Sequence, residues 1–117
     1  MAEPTLIAVF GSNASQSATQ LIISKADMAT VGLTASDTNT AESLIVAILK
    51  LAITALTDDN RDANPNQSIG ISENSAPTFI SRLINSTTNT YATYVRDTFS
   101  VELDKAYSGA SIDPDDY

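Results

Sequence analysis

Blocks of apolar residues separated by polar stretches predict the elements of this chain. Leu6–Phe10 (LIAVF) is a short apolar run between Pro4 and Gly11, the pattern of a strand. The polar connector GSNASQSA follows. TQLIIS, residues 19–24, reads as a second strand that can pair with the first as a hairpin. Ser24 with Asp27 three residues on is a capping pair, and Gly32 is a natural stop, so one or two helical turns are expected over residues 25–30. A long helix is expected from Asn39 or Thr40, where Asn39 and Glu42 make a second capping pair. It should stop at Asp58-Asp59-Asn60, because carboxylates oppose the dipole at a helix C-terminus. DDNRDANPNQ then reads as a loop. SIGIS (68–72) and PTFISRLI (77–84) read as strands, with a turn at NSTTN. YATYVRDTFSVELDK, residues 91–105, reads as one continuous strand. Tyr91, Val95, Phe99, Val101 and Leu103 share one face of it, and Tyr94, Arg96, Thr98, Ser100 and Glu102 the other.

The predicted order is ββ-α-βββ. That is an α+β fold, with one long apolar helix packed on a mostly antiparallel sheet. Residues 1–105 form one globular domain, and residues 106–117 an irregular acidic C-terminal arm.

The long helix poses the main question. From Leu44 to Leu56 only Lys50 and Thr54 are polar. Ser43, Lys50, Thr54 and Thr57 fall in one narrow stripe, leaving apolar residues over roughly two-thirds of the circumference. One sheet face needs a stripe of only about 100°. Either the chain wraps the helix, with strands on one side and residues 25–33 on the other, or its second apolar face meets another protein chain. In both cases seven large aliphatics, at ~1.5–3 kcal/mol each on burial, make it the centre of the core.

Composition narrows the function. The chain has 117 residues, enough for one domain. Hydrophobic residues make up 43%, which argues against global disorder. It has no cysteine and no histidine, which removes disulfides, thiolate metal sites and the commonest general base together. Its 14 acidic residues outnumber 6 basic ones, for a net charge of −8. The scattered Lys25, Lys50, Arg61, Arg82, Arg96 and Lys105 build no phosphate-binding stripe, so neither nucleic acid nor an anionic membrane is an expected partner. The N-terminus lacks a charged signal-peptide region, and residues 44–56 span roughly 20 Å as a helix, short of a bilayer core.

Candidate chemistry is thin. Asp58, Asn60, Asp62 and Asn64 alternate as in the first half of a calcium loop, but Ala63 stands where the turn needs Gly and Ile69 where a bidentate Glu belongs. A solvated polar loop is the better reading, and no cofactor is expected. No Ser has a Lys or His partner in a recognisable motif, GSNAS is not a nucleophile elbow, and there is no phosphate loop, so no enzymatic activity is expected. In the tail, Asp113, Asp115 and Asp116 crowd together, and Ile112 and Tyr117 are the candidate partner-binding anchors.

The segment AVFGSNASQSATQLIISKADMATVGLTASDTNTAESLIVAILKLA, residues 8–52, resembles short uncharacterised proteins of cyanobacteria and their tailed phages. The acidic, Ser/Thr-rich, His- and Cys-free composition is similar to that of small virion proteins. The resemblance implies a structural subunit located in the virion and working in many copies against other virion proteins, as a homo-oligomer or as a capsid or neck subunit. A capsid decoration (cement) protein comes first, a neck or tail component close behind. No family motif is matched, so no residue role is carried over. The rival class is a small acidic regulator or inhibitor that blocks a basic site on another protein. It is disfavoured because the acids sit in loops and tail while the predicted strand surfaces are neutral.

Overall fold

The structure, a computed structural model, describes residues 2–107 and 111–117. It is a mixed α and β fold whose sheets are antiparallel. In chain order the elements are α1 (Leu6–Phe10), β1 (Ser15–Gln16), β2 (Leu21–Ile22), a 3-10 turn at Asp27–Val31, α2 (Ala41–Ala55), α3 (Asp58–Ala63), β3 (Ile69–Glu73), β4 (Thr78–Asn85), β5 (Thr90–Arg96), β6 (Phe99–Leu103) and a 3-10 turn at Pro114–Asp116. The strands form three separate two-stranded sheets, β1–β2, β3–β6 and β4–β5.

The structure departs from the predicted order in three places, the first two for local reasons. LIAVF is a helix and not a strand. Thr5 caps it, its Oγ1 accepting the Ala8 N–H at 3.1 Å, and Gly11 closes it by donating its N–H to the Ile7 carbonyl. Leu6, Val9 and Phe10, three and four apart, face inward while Ile7 and Ala8 face out. A five-residue apolar run cannot announce its own period, and the cap decides it. β2 consequently pairs with Ser15–Gln16. Gly11 is obligatory at the exit: its φ is +102°, and a Cβ there would stand 2.6 Å from that of Asp27.

The second departure follows α2. The helix begins at its Thr40 cap but ends at Ala55, and Thr57 caps a new helix by accepting the Asn60 N–H at 3.0 Å. Asp58 and Asp59 therefore stand at the N-terminus of α3, where the dipole favours carboxylates, and not at the C-terminus of α2. The expected loop is a helix for this reason.

The third departure is the largest. Residues 91–105 do not form one strand. The chain breaks at Asp97-Thr98, so that β5 pairs with β4 and β6 with β3. The long antiparallel sheet is replaced by a short sheet on the body and a free hairpin.

The core is threaded on α2. Met28, Ala47 and Leu51 form one cluster, covered by Val31, Leu33, Leu44 and Ile48. Ala52, Leu56 and Ile71 form a second, covered by Val9, Ile53, Ile69 and Phe99. The chain thus wraps the helix from two sides: residues 23–33 at one end, β3 and β6 at the other. Even so, Ile45 and Val46 remain 52% and 48% exposed, so the wrap is incomplete. Arg61 fastens α3 to the body sheet, reaching the Glu102 carboxylate on β6 at 2.7 Å and Asp104 just beyond it at 3.7 Å, with Asp58 and Asp62 alongside. The Glu102 carboxylate first, and then that of Asp62, raise the pKa of the guanidinium above its ordinary value.

Candidate interaction surface

The hairpin β4–β5 is held to the body by its two ends. Its register runs from Thr78 opposite Arg96 to Asn85 opposite Thr90, with a bulge between Leu83 and Asn85. The turn is local chemistry: the Asn85 side-chain oxygen accepts the N–H groups of Thr87 and Thr88, and Asn89 takes a left-handed φ of 50°, which Asn tolerates. Opposite residues share a face, so Phe79, Val95, Leu83 and Tyr91 line one side, around Ser81 and Thr93. On the other side Arg82 lies over the Tyr94 ring at 5.3 Å, beside Ile80.

Among the described residues nothing covers the first face. Phe79 is 71% exposed, Tyr91 61%, Val95 53% and Leu83 46%. A lone two-stranded hairpin is at best marginally stable in water, and among the described residues both edges of this one lack a neighbouring strand. Scattered exposed hydrophobics are normal, but four large ones on one face of one hairpin are a patch. Arg82 and Arg96 are the only charged residues of the arm, residues 78–96, so it is cationic in an acidic chain. Among the described residues neither forms an ion pair.

On the body lies a second feature, an apolar cleft of about 680 Å³ between the N-terminal segment, the start of β3 and the C-terminus. Pro4, Val9, Phe10, Leu56, Ile69 and Tyr117 line it, with Glu3 at its edge. Gln67, buried between α3 and β3, also lines it, and its amide is engaged in donating to the Thr57 and Ile69 carbonyls.

The two sequence-predicted anchors separate here. Tyr117 is half-buried and forms part of this cleft, while Ile112 is 73% exposed. Residues 108–110 of the predicted arm lie outside the described residues. Beyond them the chain turns back onto the body: Lys105 Nζ donates to the Ser111 carbonyl at 2.8 Å and to Asp116 at 3.2 Å, and Asp113 caps the turn at Pro114–Asp116. The projecting element is the hairpin, which the periodicity of residues 91–105 concealed. Its signal was in the charge pattern, an acid-free stretch carrying two arginines within an acidic chain.

The other sequence candidates have structural employment. Asp58, Asn60 and Asp62 occur on α3, where alternate residues point about 200° apart and cannot converge on one ion as a loop would. Asn60 donates instead to the Ala55 carbonyl and Asn64 to that of Ala2. Asp27 binds the GSNAS connector, accepting from the Asn13 N–H at 2.9 Å and from the Ser12 hydroxyl and Asn13 amide. Among the described residues no three acidic side chains are placed to share a metal, and no helix is long and apolar enough to cross a membrane.

Comparison with known proteins adds no relative: no protein family, curated protein or solved structure matches the chain.

Proposed function

We propose that this protein is a non-enzymatic structural subunit that works by locking onto other protein chains, in a virion of a tailed phage. One observation carries the reading: the β4–β5 arm presents Phe79, Leu83, Tyr91 and Val95 to solvent on a single face. The whole molecule agrees with it. Its 8344 Å² of accessible surface is roughly 2,200 Å² more than the ~6,100 Å² typical of a compact monomer of its mass. Its radius of gyration, 17.6 Å, exceeds the ~13 Å of a compact domain of this length.

The virion assignment is drawn from the sequence resemblance, and the arm supports it as a device for subunits used in many copies. A decoration protein on the capsid surface is the first choice, and a component of the neck or tail the second. The regulator reading gains nothing from the arm, whose charge has the wrong sign for blocking a basic site. The test is quantitative mass spectrometry of purified particles from cells that express the chain. It is expected as a stoichiometric particle component. Its confinement to the cell lysate would exclude a virion role.

A further inference from the structure

We infer that the arm is a lever on a built hinge: residues 75–77 on one strand and Asp97 on the other let it swing on the body and re-aim its apolar ridge. The inference goes beyond the structural-subunit reading, since it concerns how the arm is attached and not what it grips.

The ladder shows where the hinge lies. β3–β6 and β4–β5 are two lengths of one antiparallel ribbon, because both strands run on from the body into the arm. In the body the register ends with Glu73 opposite Phe99, and the Asn74 N–H still donates to the Thr98 carbonyl at 2.8 Å. In the arm it resumes with Thr78 opposite Arg96. Residues 75–77 therefore oppose Asp97 alone, a bulge with two extra residues on one strand. Pro77 has no N–H to give the ladder, and the Asn74 side-chain oxygen accepts the Ala76 N–H at 3.3 Å. Among the described residues no hydrogen bond joins residues 75–77 to Asp97.

Packing does not fix the angle either. Residues 74–77, Asp97 and Thr98 are all exposed, so no buried side chain locks the arm to the body. A few exposed residues at element ends that can absorb backbone rotation are what a hinge needs.

The ribbon also sets the direction of swing. Its two connections run side by side, roughly 5 Å apart, and resist sideways motion together while leaving bending about an axis across the ribbon soft. Steps of two from Phe99 through Asp97 reach Val95 and then Tyr91. By register the ridge thus continues the face that carries Ile69, Ile71 and Phe99 into the core. Bending about that axis raises or lowers this uncharged ridge and keeps Arg82 and Arg96 on the opposite side. With eight residues at ~3.3 Å each the arm is roughly 25 Å long, so a swing of about 30° carries its tip roughly 13 Å.

Spin-label distances in the full-length chain test this, and no native cysteine competes for the label. Lys50→Cys with Thr87→Cys spans body to tip, and Thr78→Cys with Thr87→Cys lies within the arm, all at exposed positions. Each variant is first checked for native circular dichroism. The body-to-tip distance distribution should be at least twice as wide as that within the arm. Deleting Ala76 and Pro77 leaves Ser75 opposite Asp97 and Thr78 opposite Arg96, an unbroken ladder, and should narrow the body-to-tip distribution to the arm's own width. Two glycines inserted after Ser75 should widen it, and this variant decides the matter if the deletion does not fold. A narrow body-to-tip distribution in the natural chain would mean a fixed arm and overturn the inference. So would a broad distribution within the arm, the mark of a melted hairpin, or a width that neither the deletion nor the insertion changes. The measurement uses the isolated chain, so its failure leaves the virion reading to particle mass spectrometry.

Discussion

The body and the arm carry similar fractions of apolar side chain and use it in opposite ways. In the body, α2 turns Leu51, Ala52 and Leu56 toward residues 23–33, β3 and β6, and all three are under a tenth exposed. In the arm, Phe79, Leu83, Tyr91 and Val95 meet no third layer. The difference teaches that hydrophobic content does not place a segment in the core. A helix with a wide apolar surface can be enclosed by the elements beside it in sequence. A hairpin is two-sided, and when the chain breaks between its second strand and the next, it leaves the sheet that would have covered it.

The comparison breaks most sharply in the body. Leu51→Ala should lose ~2–4 kcal/mol of stability in urea denaturation, since it opens a cavity between α2 and Met28. A loss under half a unit would mean that α2 is not the core element. Next comes the Thr40 cap of α2, whose Oγ1 accepts the Ser43 N–H at 3.1 Å. Thr40→Ala should cost ~1 kcal/mol in the same assay. Removal of residues 111–117 tests the boundary of the body. Tyr117 is half-buried and Lys105 ties the turn down, so the truncated chain should lose about 1 kcal/mol, the scale of one partly buried side chain. A melting curve unchanged by the truncation would return the tail to the status of a free arm.

Smallest should be the response of body stability to the arm. Phe79→Ser with Tyr91→Ser removes exposed apolar surface alone, so unfolding of the isolated chain should change by no more than about 0.5 kcal/mol. Hydrogen exchange sharpens the same contrast: α2 amides should be protected to near the global unfolding energy, and arm amides far less until a partner binds. Strong arm protection in a dilute monomer would show cover that the structure does not contain.

Much of the body was legible in the residues. Thr40 as a cap, the wide apolar surface from Leu44 to Leu56, Gly32 as a stop at a φ of 99° and the Asn-rich turn at residues 85–89 are local signals, each acting within a few residues of itself. Where local signals conflict, the sequence reading failed: Leu6–Phe10 has strand composition but a helix cap, and Asp58 and Asp59 fit a helix stop as well as a helix start. Of the anchors expected in the tail, Tyr117 reaches the cleft and Ile112 stays in solvent, a division that spacing alone does not encode.

By itself the sequence determined an acidic chain with α2 at its centre. Capping, periodicity and composition suffice for that, because they are properties of neighbours along the chain. The partners of each strand were decided only in three dimensions. Alternation from Tyr91 to Leu103 is the same whether that stretch is one strand or two, and it carries no record of which strand lies beside it. The break at Asp97-Thr98 sends β6 to β3 and leaves β5 with β4 alone, and that choice among long-range pairings turns a core sheet into an exposed arm.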